Sequence, residues 1–303
     1  MFKYYLYRLA HFLANRLPME LSYEIAMFMS DLHYIFSFRD RRAVKNNLKK
    51  ILPSEERLSA LTREVFRNFG KYLAEFLRME KMMDKDFIAK KVKVEHREHV
   101  QQALDKGKGA IIVTAHIGNW EMGAVLLSVL GYPLIAIALP HKERPVNDLF
   151  NHQREVKGMT VIPTNGAIRK CIEHLKENKV VAIVGDRDFS SKGGGEILDF
   201  LGHKALIPKG AAIFSQRTGA PIIPTFLIRE DDYTFRLSMG EPLFPQEEAS
   251  ASSEREMMLG IMNRYMAVIE EKIRQYPTQW LMFRDFCIPP GSTGSSMSDD
   301  EGT

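Results

Sequence analysis

A histidine and a glutamate stand five residues apart in Thr114-Ala-His-Ile-Gly-Asn-Trp-Glu121. His116 follows an apolar run, Gly118 permits a tight turn, and Asn119 suits the cap of a helix that starts after it. Across such a turn the Glu121 carboxylate can reach the imidazole Nδ1–H, fix the tautomer and stabilise the imidazolium after Nε2 takes a proton. The spacing predicts a general base, His116, oriented by Glu121. The alternative is a strand-end histidine whose hydrogen bond is satisfied by a nearby carboxylate.

A second polar group follows the apolar run 180–184. Asp186 and Asp188 come just beyond it and are expected at the same face as His116. They can anchor Arg187, order the loop or bind sugar hydroxyls, so all three residues are predicted to contact a substrate, as is Asn119. No metal is predicted, because no further cluster of ligands accompanies the two carboxylates.

From residue 91 to 290 the sequence alternates between short apolar runs and helical patterns. The runs are nearly continuous, as expected for strands covered by helices on both faces. Strands are predicted at 110–115, 133–139, 159–162, 180–184 and 221–228. Helices are predicted at 121–131, 143–157, 166–177, 208–218 and 253–275. The predicted fold class is α/β, with a mixed, mostly parallel central sheet flanked by helices and with His116 at the carboxyl end of a strand.

Residues 1–90 are predicted to form a helical N-terminal region that associates with a membrane. Residues 1–38 contain no run of 18 apolar residues. Apolar positions recur there at helical spacing, at Tyr5, Leu6, Leu9, Phe12, Leu13 and Leu17. With Lys3, Arg8 and Arg16 among them, the first segment suits a helix lying in a membrane interface. A buried amphipathic helix of a soluble protein fits the same pattern.

Composition narrows the class of protein. The chain has 303 residues, is 45% hydrophobic and carries a formal charge of +4, which is ordinary for a globular protein. Its two cysteines, Cys171 and Cys287, exclude a disulfide framework and a Cys-rich zinc site. Residues 39–50 hold six basic residues and one acidic residue, a pattern that suits either an anionic bilayer or a solvated loop. The Ser/Gly/Asp-rich residues 291–303 are predicted to be a disordered tail.

The segment His116-Ile-Gly-Asn-Trp-Glu121 resembles the HxxxxE/D motif of the bacterial lipid A biosynthesis acyltransferases, the lauroyl/myristoyl acyltransferase family. Further matches follow in that family's order, and the resemblance spans about residues 1–285. They are Arg42–Leu48, Asn147–Gly158 with Arg154, Gly185–Phe189, Phe200–Gly202, Thr218–Pro224 and Pro277–Trp280. Such an ordered series is more specific than the histidine–glutamate spacing alone. The segment 281–290 and the details of 185–189 depart from the enzymes that acylate lipid A itself, which leaves the acceptor open.

The resemblance implies a glycerolipid acyltransferase-like fold and an acyltransferase activity. Such enzymes take an acyl group from acyl carrier protein (ACP) or acyl-coenzyme A (acyl-CoA). They pass it to a hydroxyl of a membrane glycolipid, such as a lipid A precursor, at the cytoplasmic face of the bacterial inner membrane. For this chain it implies peripheral or monotopic attachment to an anionic membrane surface through the N-terminal helix. No cofactor beyond the thioester and no nucleic-acid partner are expected. Arg154 matches a family arginine that can meet a substrate phosphate, and a solvated helix arginine is the alternative.

The residues themselves agree with this reaction. A lipid hydroxyl is a poor nucleophile that needs a positioned base, and the chain contains no Gly-x-Ser-x-Gly elbow that would supply a serine nucleophile. Two other functions remain open at this point. One is a lipid or ester hydrolase in which His116 activates water, and the other is a non-catalytic membrane-binding protein with the same fold. Relatives that acylate other glycolipids, including mannosylated phosphatidylinositol, keep the acceptor open as well.

Overall fold

The computed structural model describes residues 2–164, 166–187, 194–245 and 253–288. The first 91 residues contain helices α1 (Phe2–Arg16), α2 (Met19–Phe36), α3 (Phe38–Ile51), α4 (Leu58–Leu77), α5 (Met79–Met82) and α6 (Lys85–Lys91). The helical character predicted for the N-terminal region is therefore confirmed. Pro18 separates α1 from α2, as expected for a residue that cannot donate a helical hydrogen bond. In the described part of the chain, no helix is both long and apolar enough to cross a bilayer.

From Val92 onward, strands alternate with helices. The strands are β1 (Val92–Glu95), β2 (Ala110–Thr114), β3 (Leu134–Ala138), β4 (Thr160–Pro163), β5 (Val180–Val184), β6 (Gly195–Phe200), β7 (His203–Pro208), β8 (Ile222–Arg229) and β9 (Phe235–Met239). The helices are α7 (Arg97–Leu104), α8 (Trp120–Val129), α9 (Arg144–Glu155), α10 (Ala167–Lys176), α11 (Gly210–Thr218) and α12 (Glu254–Gln275). Each strand and helix predicted between 110 and 275 is present, and a 3-10 turn follows at Pro277–Gln279.

Seven of the strands form one sheet in the order β1–β9–β8–β2–β5–β3–β4. All neighbouring pairs are parallel except the antiparallel hairpin of β8 and β9, so the predicted mixed, mostly parallel sheet is confirmed. Every residue of β2, in the middle of this sheet, is buried, because helices cover both of its faces. The carboxyl ends of β2, β5 and β8 therefore meet at one edge of the sheet.

The remaining two strands, β6 and β7, form a separate antiparallel hairpin. Leu201 and Gly202 connect them with positive φ angles of 53° and 81°, as a two-residue hairpin turn requires. Phe200, at the end of β6, is buried, and its ring centroid lies 6.2 Å from that of Trp280. The hairpin thus packs beside the segment that follows the 3-10 turn.

The N-terminal helices share a hydrophobic core with the sheet. One continuous cluster joins Leu48 of α3 and Phe66 of α4 with Ile111 of β2 and Val181 of β5. Each large apolar side chain buried in this way stabilises the fold by about 1.5–3 kcal/mol before the entropy of ordering it is subtracted. The helical N-terminal region is therefore part of the same folded body as the sheet.

Candidate active site

The His116 loop, defined here as residues 115–119, leaves the carboxyl end of β2 and leads into α8. Gly118 has a φ of 59°, and a Cβ there would collide with the Leu227 carbonyl oxygen, so the turn requires glycine. The Asn119 side chain accepts a hydrogen bond from the Met122 backbone N–H at 3.0 Å and caps α8. The strand end, tight turn and helix cap expected from the sequence are all present.

The imidazole of His116 is held by Asp186. Its Nδ1 lies 2.7 Å from Asp186 Oδ1, and its backbone N–H donates to Asp186 Oδ2 at 3.0 Å. The indole N–H of Trp280 donates to the same Oδ2 at 2.8 Å. The contact predicted between Glu121 and Nδ1 is replaced by this one. Because a carboxylate faces Nδ1, that nitrogen carries the proton and Nε2 is the acceptor nitrogen of the neutral ring.

Strand register explains why Asp186 occupies this place. Thr114 of β2 and Val184 of β5 are paired partners in adjacent parallel strands. His116 and Asp186 each follow two residues later, so the two side chains leave the sheet at the same level and on the same edge. Glu121 instead belongs to the first turn of α8, which carries its side chain towards α9.

Burial and charge set the protonation states of the pair. Burial lowers the pKa of His116, while the Asp186 carboxylate raises it in part. Burial also tends to raise the pKa of Asp186, but the His116 imidazole and the hydrogen bonds from His116 and Trp280 lower that pKa to about 2. The stable combination at neutral pH is a neutral imidazole beside an ionised carboxylate, which is the resting state that a general base needs.

Glu121 forms a bidentate ion pair with Arg154 of α9. Arg154 Nε donates to Glu121 Oε2 at 2.8 Å, and Nη2 donates to Glu121 Oε1 at 2.6 Å. Arg154 Nη1 also donates to Asn151 Oδ1 at 3.3 Å, so three of the five N–H groups are used within the protein. Arg154 is buried, with its guanidinium about 6 Å from the ring centroids of Phe76 and Phe150. The Glu121 charge still acts on His116, whose pKa it raises slightly among several larger effects.

Aromatic side chains enclose the histidine on one side. The ring of Trp120 lies edge-on to His116 with a centroid separation of 4.9 Å, and it stacks on Tyr72 of α4 at 4.5 Å. Tyr72 is itself buried. These rings limit the access of water to His116, which is the burial that lowers its pKa.

The other predicted site residues lie in different settings. Asn119 is fully buried: its Oδ1 caps α8 and its Nδ2 donates to Glu75 Oε2 at 2.7 Å, so it holds the loop and does not face a substrate. Arg187 is half-buried, with Nη2 3.4 Å from the Leu281 carbonyl oxygen. Burial is the main cause that lowers the pKa of Arg187, to about 10. Asp188 lies outside the described residues.

Two functional contacts go beyond the sequence prediction. The sequence predicts that Asp186 anchors Arg187, orders the loop or binds substrate; the structure adds that its carboxylate holds His116. The second contact is the hydrogen bond that the Trp280 indole donates to Asp186. The available signal was that His116 and Asp186 each follow a predicted strand. Their equal offset depends on the pairing of Thr114 with Val184, which local spacing does not contain. Over the part of the chain that the structure describes, the one group with metal-ligand spacing is His96, Glu98 and His99, which lies around the start of α7 and away from the His116 loop.

Comparison with known proteins identifies the family of this chain. The family model described as bacterial lipid A biosynthesis acyltransferase matches residues 1–285. A phosphatidylinositol mannoside acyltransferase of Mycolicibacterium smegmatis is 26% identical over 247 residues, covering 80% of this chain and 77% of that protein. A lipid A biosynthesis lauroyltransferase of Escherichia coli is 23% identical over 284 residues, covering 92% and 90%. Because the family model matches nearly the whole chain, the protein belongs to the bacterial lipid A biosynthesis acyltransferase family and is an enzyme that transfers acyl groups.

Proposed function

We propose that this acyltransferase moves a fatty acyl group from an acyl thioester to a hydroxyl of a membrane glycolipid, with His116 as the general base and Asp186 as the residue that orients it. The observation that supports this most strongly is the 2.7 Å contact between His116 Nδ1 and Asp186 Oδ1 at the carboxyl edge of the sheet. It leaves Nε2 as the nitrogen that can take a proton.

The proposed reaction transfers the acyl group directly from sulfur to the lipid oxygen and needs no covalent enzyme intermediate. The lipid hydroxyl gives its proton to Nε2 of His116 while its oxygen attacks the thioester carbonyl carbon and forms the new C–O bond. The tetrahedral intermediate then breaks the C–S bond, and the imidazolium returns the proton to the departing sulfur. Asp186 stabilises the imidazolium between these steps. A positioned base of this kind contributes typically about 10²–10⁴-fold in rate.

Glu121 and Arg154 have a supporting part in this proposal. Their ion pair joins α8 to α9 and thereby fixes Trp120, the neighbour of Glu121, against the histidine. Arg154 keeps at most two N–H groups for a substrate phosphate, since the other three are used on Glu121 and Asn151. Substrate contact by Arg154, Arg187 and Asp188 remains a prediction.

The substrates are proposed from chemistry shared with the relatives. By their names, those proteins act on phosphatidylinositol mannoside or in lipid A biosynthesis, and both lipids are glycolipids with free hydroxyls. We propose a glycolipid acceptor of this type, such as a lipid A precursor, with ACP or coenzyme A carrying the acyl group as a thioester. The basic residues of α3 would favour either of these acidic donors.

An apolar face on the first three helices supports attachment to a membrane. Eleven of the fifteen exposed large hydrophobic side chains among the described residues lie within residues 5–38. They are Tyr5, Leu6, Leu9, Phe12, Leu21, Ile25, Phe28, Met29, Ile35, Phe36 and Phe38. Concentrated exposure of this kind marks an interaction surface. The opposite side of α1 packs on the protein, with Tyr7 against Phe150 at 5.3 Å, so we propose that α1 rests in the interface of the cytoplasmic leaflet.

Vesicle flotation tests the membrane proposal. The protein should float with vesicles of phosphatidylglycerol and phosphatidylethanolamine, and Phe28→Ser combined with Phe36→Ser should reduce the bound fraction several-fold. Ile168→Ser is the matched control, since Ile168 is exposed on α10, outside the apolar face. Equal binding by wild type and the double variant would contradict an attachment through this face.

Acyl transfer with radiolabelled donors tests the reaction. Acyl-CoA and acyl-ACP would be supplied with a lipid A precursor, phosphatidylinositol mannoside or a total lipid extract. Wild type should form a labelled lipid whose mass names the acceptor, and His116→Ala should not. Release of free fatty acid alone would instead indicate a hydrolase that activates water. No product from either donor with a correctly folded protein would contradict the proposed function.

A further inference from the structure

Helix α4 carries a glutamate that is completely buried. Glu75 is 0% exposed, and its carboxylate meets three elements. Oε1 accepts hydrogen bonds from the Tyr23 hydroxyl of α2 at 2.8 Å and from Nε of Arg229, at the end of β8. Oε2 accepts from Asn119 Nδ2 at 2.7 Å. Both oxygens are therefore engaged, and one of them holds a residue of the His116 loop.

The same group reaches the His116 loop by a second route. Arg229, which is paired with Glu75, exchanges two hydrogen bonds with the side chain of Gln279: its backbone N–H donates at 3.1 Å, and its carbonyl accepts at 2.7 Å. The Gln279 carbonyl then accepts from the Gly118 backbone N–H at 3.0 Å. Hydrogen bonds that lead back to Glu75 thus hold two successive residues of the His116 loop, Gly118 and Asn119.

We propose that Glu75 is a positioning residue that holds His116 in its reactive place by fixing the loop through Asn119. This inference rests on the proposed function for its kinetic part. It gives the N-terminal helical region a direct part in the active site, since Glu75 and Tyr23 both belong to that region. The N-terminal helical region then contributes to catalysis as well as to membrane attachment.

The chemistry of the contacts explains why a carboxylate is required there. Each oxygen of Glu75 accepts from N–H or O–H donors, and an ionised carboxylate is an acceptor only. A glutamine would place its NH₂ group opposite either the Asn119 donor or the Tyr23 and Arg229 donors. In both orientations one N–H donor would therefore lie against another and lack an acceptor. It would also leave the Arg229 guanidinium buried without its counter-ion, which is strongly destabilising. Glu75→Gln alone is therefore a poor test, because it can lose both the fold and the contact.

Asn119→Ser separates positioning from folding. Serine at this position still caps α8 but cannot donate from the place of Nδ2, so the contact with Glu75 is lost. The matched control is Thr62→Val on the same helix, which removes the buried hydrogen bond from the Thr62 hydroxyl to the Leu58 carbonyl, at the other end of α4. We expect Asn119→Ser to lower kcat by about 10–100-fold with KM within about twofold, because small displacements of a catalytic group cost that much. Thr62→Val should keep a kcat near that of wild type.

Hydrogen exchange gives a readout that does not depend on the reaction. The backbone amides of residues 116–119 should exchange at least about fivefold faster in Asn119→Ser than in wild type, and at the wild-type rate in Thr62→Val. A wild-type enzyme without acyl-transfer activity would overturn the proposed function, while the exchange data would still decide whether Glu75 holds the loop. The positioning role would be overturned by wild-type exchange rates in Asn119→Ser or by an effect of Asn119→Ser on KM alone. It would also be overturned if Thr62→Val lost as much kcat as Asn119→Ser.

Discussion

His116 and Asn119 lie three residues apart on the same loop, yet their side chains have different surroundings. His116 is half-buried between Asp186 and the edge of Trp120, where a neutral imidazole can exchange a proton. Asn119 is fully buried against Glu75 and caps α8 with its other side-chain atom. Asp186 therefore governs the charge state of the base, and Glu75 governs the position of the loop. Substitutions at the His116–Asp186 contact and at the Asn119–Glu75 contact should therefore impair the enzyme in different ways.

The largest effect is expected at the histidine. His116→Ala removes the proposed base and should lower the rate of acyl transfer by about 10³-fold or more. The variant should stay folded but melt a few degrees lower, because the buried Asp186 loses one hydrogen bond and keeps those from Trp280 and the residue-116 backbone N–H. The test is the initial rate of labelled lipid formation beside a thermal unfolding curve. A variant that keeps a tenth of the wild-type rate would show that His116 is not the base.

Asp186→Asn should have the next largest effect, about 10²–10³-fold in kcat. An asparagine can offer its NH₂ group to Nδ1, which favours the wrong tautomer and no longer stabilises the imidazolium. Asp199→Asn is the control, because the Asp199 side chain is exposed on β6 and forms a surface ion pair with Lys204. Equal kcat values for Asp186→Asn and Asp199→Asn would show that Asp186 has no part in the mechanism.

Glu121→Gln should affect stability more than chemistry. Both members of the Glu121–Arg154 pair are nearly buried, so losing one charge leaves the other uncompensated, at a cost of about 3 kcal/mol in the free energy of unfolding. We expect about a tenfold loss of rate. Urea unfolding measures the first effect, and the double variant Glu121→Leu with Arg154→Met should recover most of the stability. A stable Glu121→Gln enzyme with a 10³-fold lower rate would instead give Glu121 a direct catalytic part.

The smallest expected effect concerns the wild-type pH profile. Burial lowers the pKa of His116 below its ordinary value of 6.5, so the imidazole stays neutral in moderately acidic solution. Activity should therefore persist as the pH falls through 6.5, and the acid limb of kcat/KM should lie below that value. An acid limb above 6.5 would show that the negative charges near His116 raise its pKa by more than burial lowers it.

The sequence predicted the elements better than their contacts. Continuous apolar runs identified β2 and β5, and the turn chemistry of Gly118 and Asn119 placed His116 at a strand end. The partner of His116 depends on the register of two strands 70 residues apart, which local spacing does not contain. Glu75 lies within the apolar stripe of α4, and its partner Arg229 is 154 residues away, so its burial could not be read from the chain. Strands β1 (Val-Lys-Val-Glu) and β9 (Phe-Arg-Leu-Ser-Met) alternate apolar and polar residues, so neither forms the continuous apolar run that identified β2 and β5.

The most direct test of the central claim compares the acid limb of kcat/KM in Asp186→Asn and Glu121→Gln. The charge of Asp186 raises the pKa of His116, so its removal should move the acid limb to lower pH. The charge of Glu121 acts in the same direction but more weakly, so its removal should move the limb less. A larger shift in Asp186→Asn is the predicted result. A larger shift in Glu121→Gln, with Asp186→Asn close to wild type, would contradict the assignment of Asp186 as the residue that orients His116.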